Sequence, residues 1–342
     1  MKYNVLVTLP DGPTKDTFLP ENVKAYLEEH FNVRYNTLGR QFTQEEFKEE
    51  LKDIDFAVTG WGTPSIGGGV LDGNDRFKVF AHTGGSVGDF VDDSVYAKGV
   101  KVCSGNYYYA ESVAEGTAAY IMMCLRSLPD HVQSVRNGKW REEHIPSSEG
   151  ILDQEIGIIS CGAISKQVMR LLQPFRCKFK VFSNYTIDPE YLASVNAKQV
   201  SLEELLSTCH IISLHSALNE KTKGSLGREQ FEMMQEDAVF INTARGAIIK
   251  EDEMIEVLKA RPKMRAVLDV FVSEPIALDS PLRSLPNVYC IPHMGGPTID
   301  RRKHIGMAMA EELVRYVNGE PLKHEITKDV ASRMTKERPV KK

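Results

Sequence analysis

Three residues in the C-terminal half of the chain stand where parallel α/β sheets do their chemistry. The β-rich runs at Ala238–Thr243 and Ala266–Phe271 are followed by Arg245 and Glu274, and the run Val288–Pro292 is closed by His293. Ligands of such sheets bind outside the carboxyl ends of the strands, so an arginine, a carboxylate and an imidazole at successive ends form a converging set. Each alone has an ordinary explanation, as a solvated loop charge or a structural histidine; together they weigh more. The arginine fork holds a carboxylate bidentately and polarises a neighbouring carbonyl. Histidine gives or takes a proton near neutral pH, and an adjacent carboxylate stabilises its cationic form. The set fits a 2-oxo acid, and its missing partner is a hydride donor.

The first strand of the same series leads into a turn of the kind that holds such a donor. Residues 156–175, IGIISCGAISKQVMRLLQPF, read as strand, turn and amphipathic helix, with apolar positions at 164, 168, 171 and 172. Laid on GxGxxG, the turn gives Ser160, Gly162 and Ser165, so only the middle glycine remains, the one that lets the backbone approach a pyrophosphate. Ser165 is small enough to keep helix and strand close. Ser160 must turn tightly without glycine's freedom at positive φ, which costs about 1 kcal/mol unless the turn shifts. The second strand ends in KFKVFSNY, with Ser183 and Asn184 where an acidic residue would hold the ribose. Neither repels a 2′-phosphate and neither attracts one. NAD is the expected cofactor, with NADP open.

Strand and helix alternate around these residues. β-rich runs fall at Tyr3–Leu9, Asn32–Tyr35, Asp55–Thr59, Lys78–Ala81 and Val100–Cys103, with helical patterns at Glu21–Phe31 and Thr43–Asp53. A second series has six runs, at Glu155–Ser160, Lys178–Ser183, Ile211–His215 and the three named above. This predicts an α/β fold with a doubly wound parallel sheet. Long helices are expected over Ser112–Arg126 and Thr298–Asn318, the latter with a buried stripe at 305, 309, 313 and 317. The polar final 20 residues, ending KERPVKK, read as a solvated tail.

Composition narrows the class. With 342 residues, 42% apolar and 26% charged, the chain is globular and long enough for about two domains. Its 42 basic and 47 acidic residues leave a charge of −5, which argues against a nucleic-acid binder. Apolar runs such as Ala118–Leu125 are too short to cross a bilayer, and MKYNVLVTLPDG lacks the pattern of a secretory signal, so a cytoplasmic protein is expected. Cys103, Cys124, Cys161, Cys177, Cys209 and Cys290 form no CxxC and read as small core residues, with no metal site.

Several runs carry a resemblance. ISLHSALNEKTKGSLGREQFEMMQEDAVFINTARGAIIKEDEM (212–254), RAVLDVFVSEP (265–275) and NVYCIPHMGGPT (287–298), with SVAEGTAAYIMM (112–123) and GKW (138–140), resemble the D-isomer-specific 2-hydroxyacid dehydrogenases, among them phosphoglycerate, D-lactate and hydroxypyruvate or glyoxylate enzymes. AHTGGSVGD (81–89) and KGVKV (98–102) match more loosely. The resemblance implies a flavodoxin-like substrate domain from 1–103 and 295–342, with a Rossmann nucleotide domain, 104–294, inserted. It implies interconversion of a 2-oxo acid and a D-2-hydroxy acid, with Arg245 binding substrate, His293 moving the proton and Glu274 orienting it. Gly84, Gly85 and Ser86 would take the substrate carboxylate, and Asp269 would lie near the nicotinamide carboxamide. Further nucleotide contacts are implied at Ala163, Ile164, Ser216, Ala217, Thr222, Thr243 and Ala244. The family also implies a homodimer acting on small molecules.

The departures cluster on the nucleotide side. Besides Ser160, Ser165 and Ser183, Arg176 replaces a glycine where a left-handed cap is expected, and Ala217 replaces a proline. Tyr107, Tyr108 and Tyr109 read as core and interdomain packing. A second reading is a nucleotide-sensing module of corepressor type on the same fold; formate oxidation is disfavoured because formate dehydrogenases carry Gln where Glu274 stands. A phosphorylated substrate would want extra cations, for which Lys78, Lys101 and Arg141 are candidates.

Overall fold

The structure is a computed structural model and describes residues 2–140, 142, 145 and 148–336. The chain forms two compact units, Met1–Tyr109 with Pro297–Lys342, and Ala110–Gly296. The first division falls after Tyr109 rather than at 103, and its cause is packing: Tyr108 and Tyr109 lie against the core of the first unit.

In the first unit, β1 (Asn4–Val7), β2 (Asn32–Tyr35), β3 (Phe56–Thr59), β4 (Val79–His82) and β5 (Lys101–Ser104) form a parallel sheet in the order β2-β1-β3-β4-β5. β3 and β4 are buried along their whole length, as strands covered on both faces must be. One face packs on Leu19, Val23, Leu27 and the helix Ile299–Val317; the other packs on Phe47, Leu51 and Val95. That helix buries Ile305, Met309 and Leu313 at the expected four-residue spacing. Val317 departs from the stripe and is 43% exposed, because it is the last residue of the helix.

The tail reading needs correction for the residues described. Segment 323–336 is docked: it contains the helix Lys328–Arg333, and Ile326 and Ala331 are buried. The Tyr96 hydroxyl donates to the Ile326 carbonyl, and Glu325 bridges to Cys103. Ile326, Ala331 and Met334 pack on the core, and with these bonds they hold a segment whose composition is otherwise mostly polar. Residues 337–342 lie outside the described residues.

The second unit carries β6 (Glu155–Ile159), β7 (Lys178–Phe182), β8 (Ala197–Gln199), β9 (Ile211–Leu214), β10 (Val239–Asn242), β11 (Arg265–Leu268) and β12 (Val288–Cys290). They pair in parallel, in the order β12-β11-β10-β9-β6-β7-β8. This is a doubly wound sheet, with seven strands rather than six, whose order reverses between β6 and β9. The added strand, β8, is a three-residue edge strand without a buried position. Cys103, Cys124, Cys177 and Cys209 are buried, Cys161 and Cys290 partly so. Among the described residues no helix is long and apolar enough to cross a membrane, and no cluster of three or more His, Cys, Asp or Glu forms a metal site.

Candidate functional site

The carboxyl ends of β10, β11 and β12 carry Arg245, Glu274 and His293, and the structure brings two of them into direct contact. His293 Nδ1 lies 2.7 Å from Glu274 Oε2, while Glu274 Oε1 accepts from the Phe271 N–H at 3.0 Å. A carboxylate only accepts, so Nδ1 carries the proton and Nε2 is the nitrogen left to exchange one. The His293 side chain is 48% exposed, so that nitrogen is reachable. His293 itself sits at φ 54°, left-handed backbone that few non-glycine residues adopt, and its N–H closes a tight turn on the Ile291 carbonyl at 2.9 Å.

The turn is held from beneath by Asp269. Its two oxygens accept from the backbone N–H groups of Met294 (2.7 Å) and Gly295 (2.9 Å), and the Tyr120 hydroxyl donates to it at 3.2 Å. Burial pushes the Asp269 carboxyl above its ordinary value, and these donors together with the charge of His293 oppose the shift. The residue expected near a nicotinamide thus spends both oxygens fixing the backbone next to the imidazole. Tyr120 lies on the helix Asn106–Leu125, which approaches the same turn closely: a Cβ on Gly116 would stand 3.3 Å from the Gly295 Cα.

Arg245 is placed by residues that sequence reasoning missed. Asn242, fully buried at the end of β10, accepts from the Ala244 N–H (3.0 Å) and donates to the Arg245 carbonyl (3.3 Å). Gly246 follows, and a Cβ there would meet the Phe271 carbonyl carbon at 1.9 Å, so only glycine lets the Arg245 turn close on the turn after β11. The Arg245 guanidinium donates to the Ala244 carbonyl at 2.7 Å. Thr243 Oγ1 lies 3.2 Å from Thr117 Oγ1 on the long helix.

The nucleotide-side candidates lie along the same carboxyl edge. After β6, Ser160 adopts φ 81°, so the turn is not shifted and serine takes the conformation usually left to glycine. Gly162 caps the helix Ala163–Leu172, and the space where its Cβ would project is open for 4 Å. Buried Ser165, in place of the third glycine, accepts from the Gly162 N–H at 2.7 Å and donates to the Gly162 carbonyl at 3.0 Å. The first N–H groups of this helix, at Ala163 and Ile164, have no partner within it, as at any helix N-terminus, and such groups are what an anion site uses. These residues fit a dinucleotide pyrophosphate. Arg176 adopts the left-handed cap expected of the glycine it replaces, at φ 58°, and forms a forked ion pair with Asp153 at 2.8 Å.

Farther along the edge, Ser183 follows β7 and its hydroxyl accepts from the Tyr185 N–H at 3.1 Å. Ser216 and Ala217 follow β9. Thr222 donates to the Ala217 carbonyl at 2.7 Å and accepts from the Asn219 N–H at 2.9 Å, which closes that loop. Behind it, His215 Nε2 lies 2.9 Å from Ser213 Oγ, and burial lowers its pKa to about 4, so the ring is neutral.

In the first unit, Gly84, Gly85 and Ser86 follow β4. A Cβ on Gly84 would stand 2.3 Å from Nε2 of the buried His82, whose Nδ1 lies 2.9 Å from Thr59 Oγ1. Ser86 Oγ donates to the Thr335 carbonyl at 2.9 Å. Lys78 and Lys101 stand at the other edge of this sheet, before β4 and at the start of β5, where Lys78 donates to the Asp75 carbonyl and Lys101 pairs with Glu325 at 2.8 Å. Neither is a cation at the carboxyl edge, and Arg141 lies outside the described residues. Tyr107, half exposed, packs edge-on against Tyr108.

Residues 118–295 match the family model described as D-isomer specific 2-hydroxyacid dehydrogenase, NAD binding domain. The chain is 31% identical over 303 residues to D-3-phosphoglycerate dehydrogenase of Methanocaldococcus jannaschii, covering 88% of this chain and 56% of that protein. It is 28% identical to human glyoxylate reductase/hydroxypyruvate reductase, over 73% of this chain and 77% of that one. A glyoxylate reductase structure from Paecilomyes thermophila superposes with a TM-score of 0.79 at 21% identity, over 96% of this chain and 99% of the other, which shows a common fold. The chain spans about half the length of the first curated relatives it matches, 56% and 48%. With more than half of its residues inside the family model, the chain belongs to the D-isomer-specific 2-hydroxyacid dehydrogenase family.

Proposed function

We propose that the protein interconverts a 2-oxo acid and a D-2-hydroxy acid, with NAD as cofactor and NADP open. The observation that carries this is the His293–Glu274 pair at 2.7 Å, with the imidazole half exposed, on the same sheet edge as Arg245. When bound, a reduced nicotinamide supplies the hydride that C2 receives. Arg245 clamps the substrate carboxylate or carbonyl, so that the ketone stays oriented. His293 gives its Nε2 proton to the C2 oxygen as negative charge grows there, and Glu274 stabilises the imidazolium beforehand and orients the ring throughout. Asp269 acts one step back, by fixing the backbone at 294–295. In the reverse direction, neutral His293 takes the hydroxyl proton.

For the nucleotide we assign Gly162, Ala163 and Ile164 to the pyrophosphate and Ser183 to the ribose, with Ser216, Ala217, Thr222, Thr243, Ala244 and Asp269 along the remaining edge. Gly84, Gly85 and Ser86 are assigned to the substrate carboxylate. Incubation with NADH and glyoxylate, hydroxypyruvate or pyruvate, followed by chiral chromatography of the chiral products, tests the reaction: a D product is expected, and an L product or a racemate overturns the assignment.

We also read the protein as a cytoplasmic homodimer. Leu128, Val132 and Val135 are each about half exposed along the helix Leu128–Arg136, and Trp140 follows at 78%. Such a stripe favours self-association. Light scattering on the purified chain should give twice the monomer mass.

A further inference from the structure

The carboxyl edge of the first unit carries a cation that the sequence did not single out. Arg302, one turn into the helix Ile299–Val317, holds its guanidinium carbon 5.2 Å from the centre of the Trp61 ring and 5.6 Å from that of Phe18. The two rings meet edge to face at 5.3 Å, and Trp61 lies in the loop that follows β3. Nε of Arg302 donates to the Pro297 carbonyl at 3.2 Å, and among the described residues no carboxylate pairs with it. A guanidinium is thereby held by two aromatic faces and one carbonyl, with its forked terminal nitrogens uncommitted. Lysine would not stack in this way, nor offer two parallel donors to an oxyanion.

This cation adjoins the loop assigned above to the substrate carboxylate. A Cβ on Gly85 would stand 3.2 Å from the Tyr109 ring, and the buried Tyr109 hydroxyl lies beside Trp61, close enough to Arg302 to feel its charge. From the other side, Gly105 donates to the Gly84 carbonyl at 3.0 Å, and a Cβ there would meet Ile305, which is one helical turn beyond Arg302, at 2.7 Å. Two contact paths therefore connect Gly84 and Gly85 to the Arg302 cluster, both inside the first unit.

We propose that Arg302, backed by Trp61 and Phe18, is a specificity-determining site for a second anionic group, a carboxylate or a phosphate, on the end of the 2-oxo acid remote from C1. The proposal rests on the 2-oxo acid reading above. Within the first unit, the loop at Gly84–Ser86 serves the C1 carboxylate, and Arg302 beside it serves the far end. Desolvated on two sides and unpaired, it selects dianionic over uncharged tails by a charge-assisted, bidentate contact.

The test measures kcat/KM of the full chain with NADH for 2-oxobutyrate, 2-oxoglutarate, oxaloacetate and phosphohydroxypyruvate. The wild type should favour at least one dianionic substrate over 2-oxobutyrate by more than about tenfold, and Arg302→Met should reduce that ratio about 30-fold, mostly through KM. Arg302→Lys keeps the charge and loses the fork, and should reduce the ratio less. If Arg302→Met does not fold, the lysine variant and the wild-type ratio decide. A preference for 2-oxoglutarate or oxaloacetate identifies a carboxylate, and a preference for phosphohydroxypyruvate a phosphate. A wild type that favours 2-oxobutyrate, or equal loss on all substrates in Arg302→Met, overturns the proposal. Absence of turnover for every 2-oxo acid with both cofactors overturns the underlying reading instead.

Discussion

Two stretches of one sheet edge in the second unit meet their demands differently. At the ends of β10, β11 and β12 the side chains Arg245, Glu274 and His293 are those the chemistry calls for, and the backbone is forced to suit them: Gly246 admits no Cβ, and His293 accepts left-handed φ. At the turn after β6 the reverse holds. The backbone path is the one a dinucleotide turn takes, but the side chains differ, with Ser160 at φ 81° and Ser165 closing the cap. Where a function rests on a titrating or charged group, the side chain is the fixed quantity. Where it rests on N–H groups pointing at an anion, only conformation matters, and another residue supplies it at a modest cost in strain.

If that contrast is right, substitutions at the two stretches fail in different ways. His293→Gln should lower kcat about 10³-fold by removing proton transfer, while calorimetry should find nucleotide affinity within about twofold of the wild type. Equal loss of both would make the imidazole a structural part of the cofactor site. Arg245→Lys keeps the charge but not the fork, and should lower kcat/KM about 100-fold, mostly through substrate KM.

A pH experiment probes the region behind the nucleotide loops. His215 is neutral in the folded chain, its pKa lowered by burial to about 4, whereas an unfolded histidine titrates near 6.5. Between those values the unfolded state binds a proton that the folded state does not, so the contribution is fully present above about 6.5 and is lost as pH falls toward 4. The loss is of order 3 kcal/mol. Thermal melts of the wild type should fall more steeply over this window than those of His215→Gln; identical slopes would mean that the ring protonates without unfolding. The smallest effect is at Ser160. Ser160→Gly should raise stability by roughly 0.5–1 kcal/mol and leave nucleotide affinity nearly unchanged, and a loss of stability would contradict the strain argument.

The succession of most strands along the chain, and the positions of Arg245, Glu274 and His293 just past three of them, were legible because each is a local pattern: a β-rich run followed by a charged residue. Other features depend on contacts that no local pattern encodes. β8 was missed because Ala197–Gln199 is a short edge strand, and the docked C-terminal segment because its anchors, Ile326, Ala331 and Met334, are few and spread along a mostly polar run. Tyr120 acts through a hydrogen bond to Asp269, far away in sequence, and Asn242 through two bonds to the turn that follows it, whose meaning shows only once that turn is seen. Arg302 had no visible signal, since its partners Phe18 and Trp61 lie far away in sequence. Gly246 did carry one, a glycine directly after Arg245, which takes on meaning once Phe271 is seen against it.

The central claim is that this sheet edge transfers hydride to a 2-oxo acid with His293 as the proton donor. The most direct measurement follows the ultraviolet absorbance of NADH, then NADPH, with a panel of 2-oxo acids, for the wild type and His293→Gln side by side. Turnover by the wild type that nearly vanishes in the variant, with nucleotide binding retained in both, is the predicted result. Silence of the wild type across the panel while nucleotide still binds, or equal turnover by the two proteins, would contradict it.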